Sequence, residues 1–147
     1  MKTIRLNSPG KNVLFIVLAT IVAFSMGACA RKVTFLTSPV VPAARGWVKI
    51  KKDNNNNYNI KINLSDLAES KRLQPSKETY VVWMVTNEQS IKNIGQINSS
   101  TSLFSKKLKA SFETVSAFKP TKIFITAEND ASIQYPGTQV VLSTDRF

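Results

Sequence analysis

The chain has 147 residues, 20 Lys and Arg against 9 Asp and Glu, a net charge of +11, one cysteine and no histidine. Without histidine there is no Ser-His-Asp triad, no Cys-His dyad and no Cys/His zinc site, and a lone cysteine closes no disulfide within the chain. The length suits one domain with a real core, held together by packing alone.

Lys2, Arg5 and Lys11 precede an apolar run from Val13 to Met26, and the run ends in Met26-Gly27-Ala28-Cys29. A basic leader, an apolar stretch and small residues before a cut site make an export signal. The ending resembles the bacterial lipobox, with Met26 where family members usually carry Leu. That resemblance implies cleavage after Ala28 and lipidation of the Cys29 thiol by a diacylglyceryl group. The competing reading is an uncleaved anchor helix, since about 17 to 20 apolar residues can span a bilayer. Stable anchoring takes about two acyl chains, which a diacylglyceryl cysteine supplies.

The expected organisation is a signal peptide over 1–28, a lipidated Cys and Pro-containing tether over 29–45, and a folded domain over 46–147. The leader takes three of the 20 basic residues, so the mature part keeps 17 against 9 acidic ones. This describes a lipoprotein of the bacterial cell envelope, anchored to the outer or plasma membrane and exposed on the periplasmic side. Its expected partners are the membrane, through the lipid, and an envelope protein or anionic surface. Nucleic acid is not expected. The lysines are scattered along the sequence, which solubility alone also explains.

In the tether, Pro39 and Pro42 disfavour helix, and Val33 to Thr37 is a first edge strand at most. Val48 and Ile50 alternate with Lys49 and Lys51, and Tyr58, Ile60, Ile62 and Leu64 alternate with polar residues; period two predicts a hairpin. Asp53 to Asn57 supplies its turn, because Asn and Asp accept left-handed backbone and bond to their own main chain. Ser65 to Leu73 predicts a short helical turn capped by Ser65, with Glu69 near capping-box spacing, stopped by Pro75. Thr79 to Thr86 is a continuous β-branched and aromatic run, the pattern of a strand buried on both faces, with Trp83 expected at the centre of the core.

Asn87 to Ser90 turns the chain into Ile91 to Ile97, where Gly95 marks a bulge or a close backbone approach. A polar loop, Asn98 to Ser102, leads to Leu108, Ala110 and Phe112 in alternation. Ile123 and Ile125 follow Pro120, Glu128-Asn129-Asp130 breaks the run, and Tyr135-Pro136-Gly137 turns into Val140 to Leu142. The fold class is all-β: an antiparallel β-sandwich, Ig-like, of six to seven strands.

Four motifs in order, Tyr80-Val81-Val82-Trp83-Met84, Ile94-Gly95-Gln96-Ile97, Ile123 to Glu128 and Pro136 to Ser143, resemble the C-terminal extracytoplasmic domain of anti-sigma-K factors (RskA). The resemblance runs from Gly46 to Ser143. Asn129-Asp130-Ala131-Ser132 stands where that family commonly has Pro-Ala-Gly-Gly. An anti-sigma factor holds its sigma factor through a cytoplasmic domain ahead of a membrane span, and domains need about 50 residues. Only Met1 to Asn12 precede the apolar run, so the resemblance implies the sensory or interaction half alone.

No residue is assigned to catalysis, to a cofactor or to a metal, no small-molecule substrate is identified, and an enzyme is not expected. The nearest acidic groupings, Asp66 with Glu69 and Glu128 with Asp130, fall at turns, where carboxylates serve as caps. A carboxylate-based glycan-active enzyme is the remote alternative, and calcium at Glu128 and Asp130 would have too few ligands. Trp47 and Tyr58 are a candidate aromatic pair for glycan stacking, or ordinary cross-strand packing. The expected function is a binding or accessory module of the envelope, with a regulatory component of envelope-stress signalling as the alternative. Strand addition at an edge near Val140 is the expected mode of contact.

Overall fold

A computed structural model describes residues 30–97 and 109–147. Cys29, the expected signal peptide, the expected loop at Asn98 to Ser102 and Leu108 lie outside the described residues. The elements are β1 (Arg31–Thr34), β2 (Arg45–Lys52), β3 (Tyr58–Ser65), a 3₁₀ turn at Ser70–Arg72, β4 (Thr79–Thr86), β5 (Ile91–Ile97), β6 (Lys109–Ser116), β7 (Pro120–Glu128) and β8 (Val140–Ser143). They form two four-stranded antiparallel sheets, ordered β1-β2-β3-β6 and β5-β4-β7-β8. The all-β sandwich expected from the sequence is present, with eight strands among the described residues rather than six or seven.

The extra strand comes from the stretch read as a tether. Arg31 to Thr34 pairs with β2, and the following residues are part of the domain rather than a free spacer: Val41 and Ala44 belong to the core. Ser38 is buried, and its hydroxyl accepts from the Val40 and Val41 amides, which bends the chain inward. The strand stops at Thr34, short of Thr37, because the chain changes sheets there. Phe35 N–H donates to Gly46 O at 3.1 Å, and Leu36 N–H donates to Ser143 O at 2.9 Å. One open side of the sandwich is thereby closed.

The β2–β3 hairpin is as expected. Asp53 Oδ1 accepts from the Asn55 and Asn57 amides, and Asn56 takes φ 65°. Its apolar residues Val48, Ile50, Ile60, Ile62 and Leu64 face Tyr80, Val82, Met84, Ile123 and Ile125 of the other sheet. The capped helical turn is not formed. Ser65 is the last residue of β3, paired with Arg45 and Lys109, and Asp66 at φ 58° turns the chain. Sheet pairing on both sides outweighs one capping bond, and only Ser70–Arg72 winds into a 3₁₀ turn.

All eight residues of β4 are buried. Trp83 is fully buried but is not in the core between the sheets. Tyr80, Val82 and Met84 point there, so alternation sends Val81 and Trp83 to the outer face. Trp83 Nε1 donates to Thr126 Oγ1 at 2.8 Å, and its indole stacks on Phe124 with centroids 6.2 Å apart. The segment from Asn129 to Gln139 lies over this face. Asn93, the register partner of Trp83, donates from Nδ2 to the Ala131 and Ile133 carbonyls, and Gly137 N–H donates to Glu128 Oε1 at 2.7 Å.

Gly95 combines both of its expected roles. It borders the bulge where Val82 pairs with Gly95 and Trp83 with Asn93, and it takes φ +139°. A Cβ there would stand 2.7 Å from the Phe112 ring of β6, so the glycine lets the two sheets close on the side opposite Leu36.

Charge is sorted along the strands. The end that carries Arg31 holds Arg31, Lys51, Lys52, Lys92, Lys119, Lys122 and Arg146 against Asp53, Glu88 and Asp145. The other end holds Arg45, Lys71, Arg72, Lys77 and Lys109 against Asp66, Glu69, Glu78, Glu128 and Asp130.

Gly95→Ala is expected to lower the unfolding free energy by about 2 to 3 kcal/mol. A urea midpoint unchanged from wild type would show that ring and backbone part without cost. Tyr80, whose hydroxyl donates to Ala68 O, gives a pH signature, because burial pushes its pKa from 10.0 to about 12. The unfolded chain loses this proton first, so stability is expected to fall as pH rises from about 10 towards 12, and this group leaves it unchanged below that window. Chemical denaturation across that range, with phenolate absorbance as the second readout, measures the slope.

Candidate functional site

Register on the outer face of the first sheet assembles what the sequence scatters. Lys32 of β1, Lys49 of β2, Lys61 of β3 and Glu113 of β6 are successive cross-strand partners in a single row. Only Lys61 is neutralised, by Glu113 at 3.2 Å. Like charges placed directly opposite cost stability. The next row is Thr34, Trp47, Asn63 and Ser111, and beyond it come Arg45, Ser65 and Lys109. Lys51 extends the basic strip along β2 in the other direction.

A cleft of about 620 Å³ opens in this face, lined by Arg45, Trp47, Asn63, Ser65, Lys109 and Ser111. Asn63 Nδ2 is buried and has no hydrogen-bond partner among the described residues. Trp47 is half-buried, with Lys32 Nζ 4.7 Å from its ring centroid. The cleft thus offers two cations, two hydroxyls and an indole to one ligand. That donor set suits an anion that also carries hydroxyl groups. Trp47 and Tyr58 do not form the candidate aromatic pair. Trp47 opposes Asn63 and faces outward, whereas Tyr58 opposes Lys52 and packs against the core.

The acidic groupings do not converge. Glu69 binds Arg72 at 3.1 Å, and Asp66 lies at the end of β3. Asp130 is exposed; the Ser132 amide, then the Ser132 hydroxyl, hold its pKa below the usual carboxylate value. Glu128 is buried beneath Gly137, where a Cβ, had the residue one, would stand 2.7 Å from the carboxylate. Its role there is to fasten the loop. Among the described residues no group of three or more Cys, Asp or Glu side chains gathers as a metal site. A larger groove of about 1040 Å³ at the same end is lined by Pro39, Val40, Arg72, Pro75, Lys77 and Gln139, among others, with Glu128 at its edge.

Val140 is on an edge strand, as expected, yet that edge is a poor template. β8 has four residues and a register shift, and Leu36 already bonds to Ser143. No helix among the described residues is long and apolar enough to cross a membrane. No protein-family model matches the chain, and no curated protein or solved structure matches it either.

Lys49→Glu converts the repulsive row into an alternating one and is expected to stabilise the domain by about 0.5 kcal/mol. The thermal midpoint should rise at low salt, with the gain shrinking as salt increases.

Proposed function

We propose that this protein is a lipid-anchored binding module of the bacterial cell envelope, without enzymatic activity, and that the outer face of its first sheet takes an anionic, hydroxyl-bearing partner such as a phosphorylated or carboxylated glycan. The single observation that carries this reading is the row Lys32, Lys49 and Lys61, three ammonium groups in register with one carboxylate among them. Such a row lowers stability in the free protein and gains it back when an anion is present. The cleft beside it adds geometry, because Trp47 offers a stacking face and Arg45 and Lys109 offer charge. The lipobox-like ending at Cys29 supports the anchor.

A second reading, a regulatory component of envelope-stress signalling, draws on the resemblance to anti-sigma-K extracytoplasmic domains. In the fold two of the four resembling motifs touch, through the Gly137 amide that donates to Glu128. Crosslinking in the envelope that captured a membrane-bound regulator would favour this reading over the first.

Dextran sulfate and uncharged dextran test the anionic reading, with tryptophan fluorescence as the readout. Binding of the sulfated polymer is expected, weakening with salt, with a loss of about tenfold in Lys49→Glu. Equal binding of the two polymers, or no loss in the variant, would refute the assignment. A native N-terminal mass without a diacylglyceryl group at Cys29 would refute the anchor independently.

A further inference from the structure

We infer that the end of the sandwich carrying Arg31 rests directly on an anionic bilayer, so that the folded domain itself, and not its acyl chains alone, is a membrane-binding element. This rests on the reading that Cys29 is acylated. Three observations converge on it.

Reach comes first. Arg31 is already paired with Ile50, so only Ala30 stands between the strand and Cys29. Two residues span at most about 7 Å, less than the Debye length of about 8 Å at physiological ionic strength. An anchor this short holds that end of the domain inside the electrostatic reach of the headgroups.

Charge comes second. The Arg31 end carries seven basic residues against three acidic ones, whereas the far end is balanced five to five, as enumerated above. None of the seven takes part in an ion pair among the described residues, and the Asp53 carboxylate is occupied by two backbone amides. Of the two ends, the attraction therefore acts on this one, and it orients the molecule.

Apolar exposure comes third. Ile91, Val115 and Phe118, exposed by 48%, 58% and 42%, all lie at this end. Lys92 Nζ stands 4.3 Å from the centroid of the Phe118 ring, a ring and ammonium set side by side as at a lipid headgroup boundary. Just above, on the outer side of the second sheet, a hollow of about 340 Å³ is lined by Val85, Ile91, Phe124 and Val140 together with Lys122 and Arg146. A phosphate with the first carbons of an acyl chain has that division of polarity. Docking in this pose leaves Trp47, Arg45 and Lys109, towards the far end, clear of the membrane.

The test uses the acylated protein reconstituted in phosphatidylcholine vesicles with or without phosphatidylglycerol. Single cysteines for an environment-sensitive dye are placed at the docked end (Ala117→Cys), on the first sheet's outer face (Ser111→Cys) and at the far end (Asn129→Cys). The dye at 117 should shift to the blue with phosphatidylglycerol only and return in high salt, while those at 111 and 129 stay unmoved. Lys92→Gln and Lys119→Gln should each reduce the docked-to-undocked ratio about fivefold. Acylated, vesicle-bound protein with an unmoved dye at 117, or an equal shift at 111 or 129, would overturn the docking while leaving the anchor intact. Absence of the acyl mass at Cys29 would overturn the anchored reading, and this pose with it.

Discussion

Every side chain of β4 is buried, so the strand needs cover on both sides, and much of the remaining architecture follows from how that cover is provided. The inner side is met by the facing sheet. The outer side is met by Asn129 to Gln139, a segment without regular structure of its own, which must be fastened. Asn93 holds its carbonyls and Glu128 holds its Gly137 amide. A buried carboxylate is costly unless it is hydrogen-bonded, and only a residue without a side chain lets the amide come close enough. Trp83 completes the arrangement by bonding Thr126, so the outer layer is polar where it must be and dry elsewhere. In a chain without an internal disulfide, this second layer is how extra burial is obtained from few residues.

Much of this is legible in the sequence. The β2–β3 hairpin announces itself through period two and an Asx-rich turn, and β4 through its unbroken β-branched run. The side on which Trp83 lies was not legible, because a strand buried on both faces has no alternation to read; only the assignment of Tyr80, Val82 and Met84 to the core fixes the parity. β1 is legible only in part: an edge strand is expected from Val33, and the strand begins two residues earlier, at Arg31. Four residues beginning Arg31-Lys32 show no apolar stripe, and their strand character comes from pairing with β2 and from the crossing at Phe35 and Leu36. Ser65 looked like a helix cap because local chemistry favours it, and sheet partners on both sides outweighed that preference.

The cationic row is a property of register alone. Lys32, Lys49 and Lys61 are far apart in sequence, and no window along the chain gathers them; two strand pairings place them side by side. The alternation of Lys49 and Lys51 showed a wet face but not its neighbours. The same holds for the cleft, where Arg45 opens β2 and Lys109 opens β6, brought together only because both strands flank β3 at Ser65. The chemistry of the carboxylates, by contrast, was readable in kind: they cap turns and fasten loops.

The placement of β1 has a mechanical consequence. A pull transmitted through residues ahead of Ala30 enters at Arg31 and, when the domain is restrained at its far end, runs along the strand axis. The rungs joining β1 to β2 then lie across the direction of force and share the load together instead of tearing in sequence. Where those rungs stop, the next attachments are to Gly46 in one sheet and Ser143 in the other. Tension arriving at a four-residue strand is thus handed to both layers, so one of the two shortest strands among the described residues carries the load into the whole sandwich.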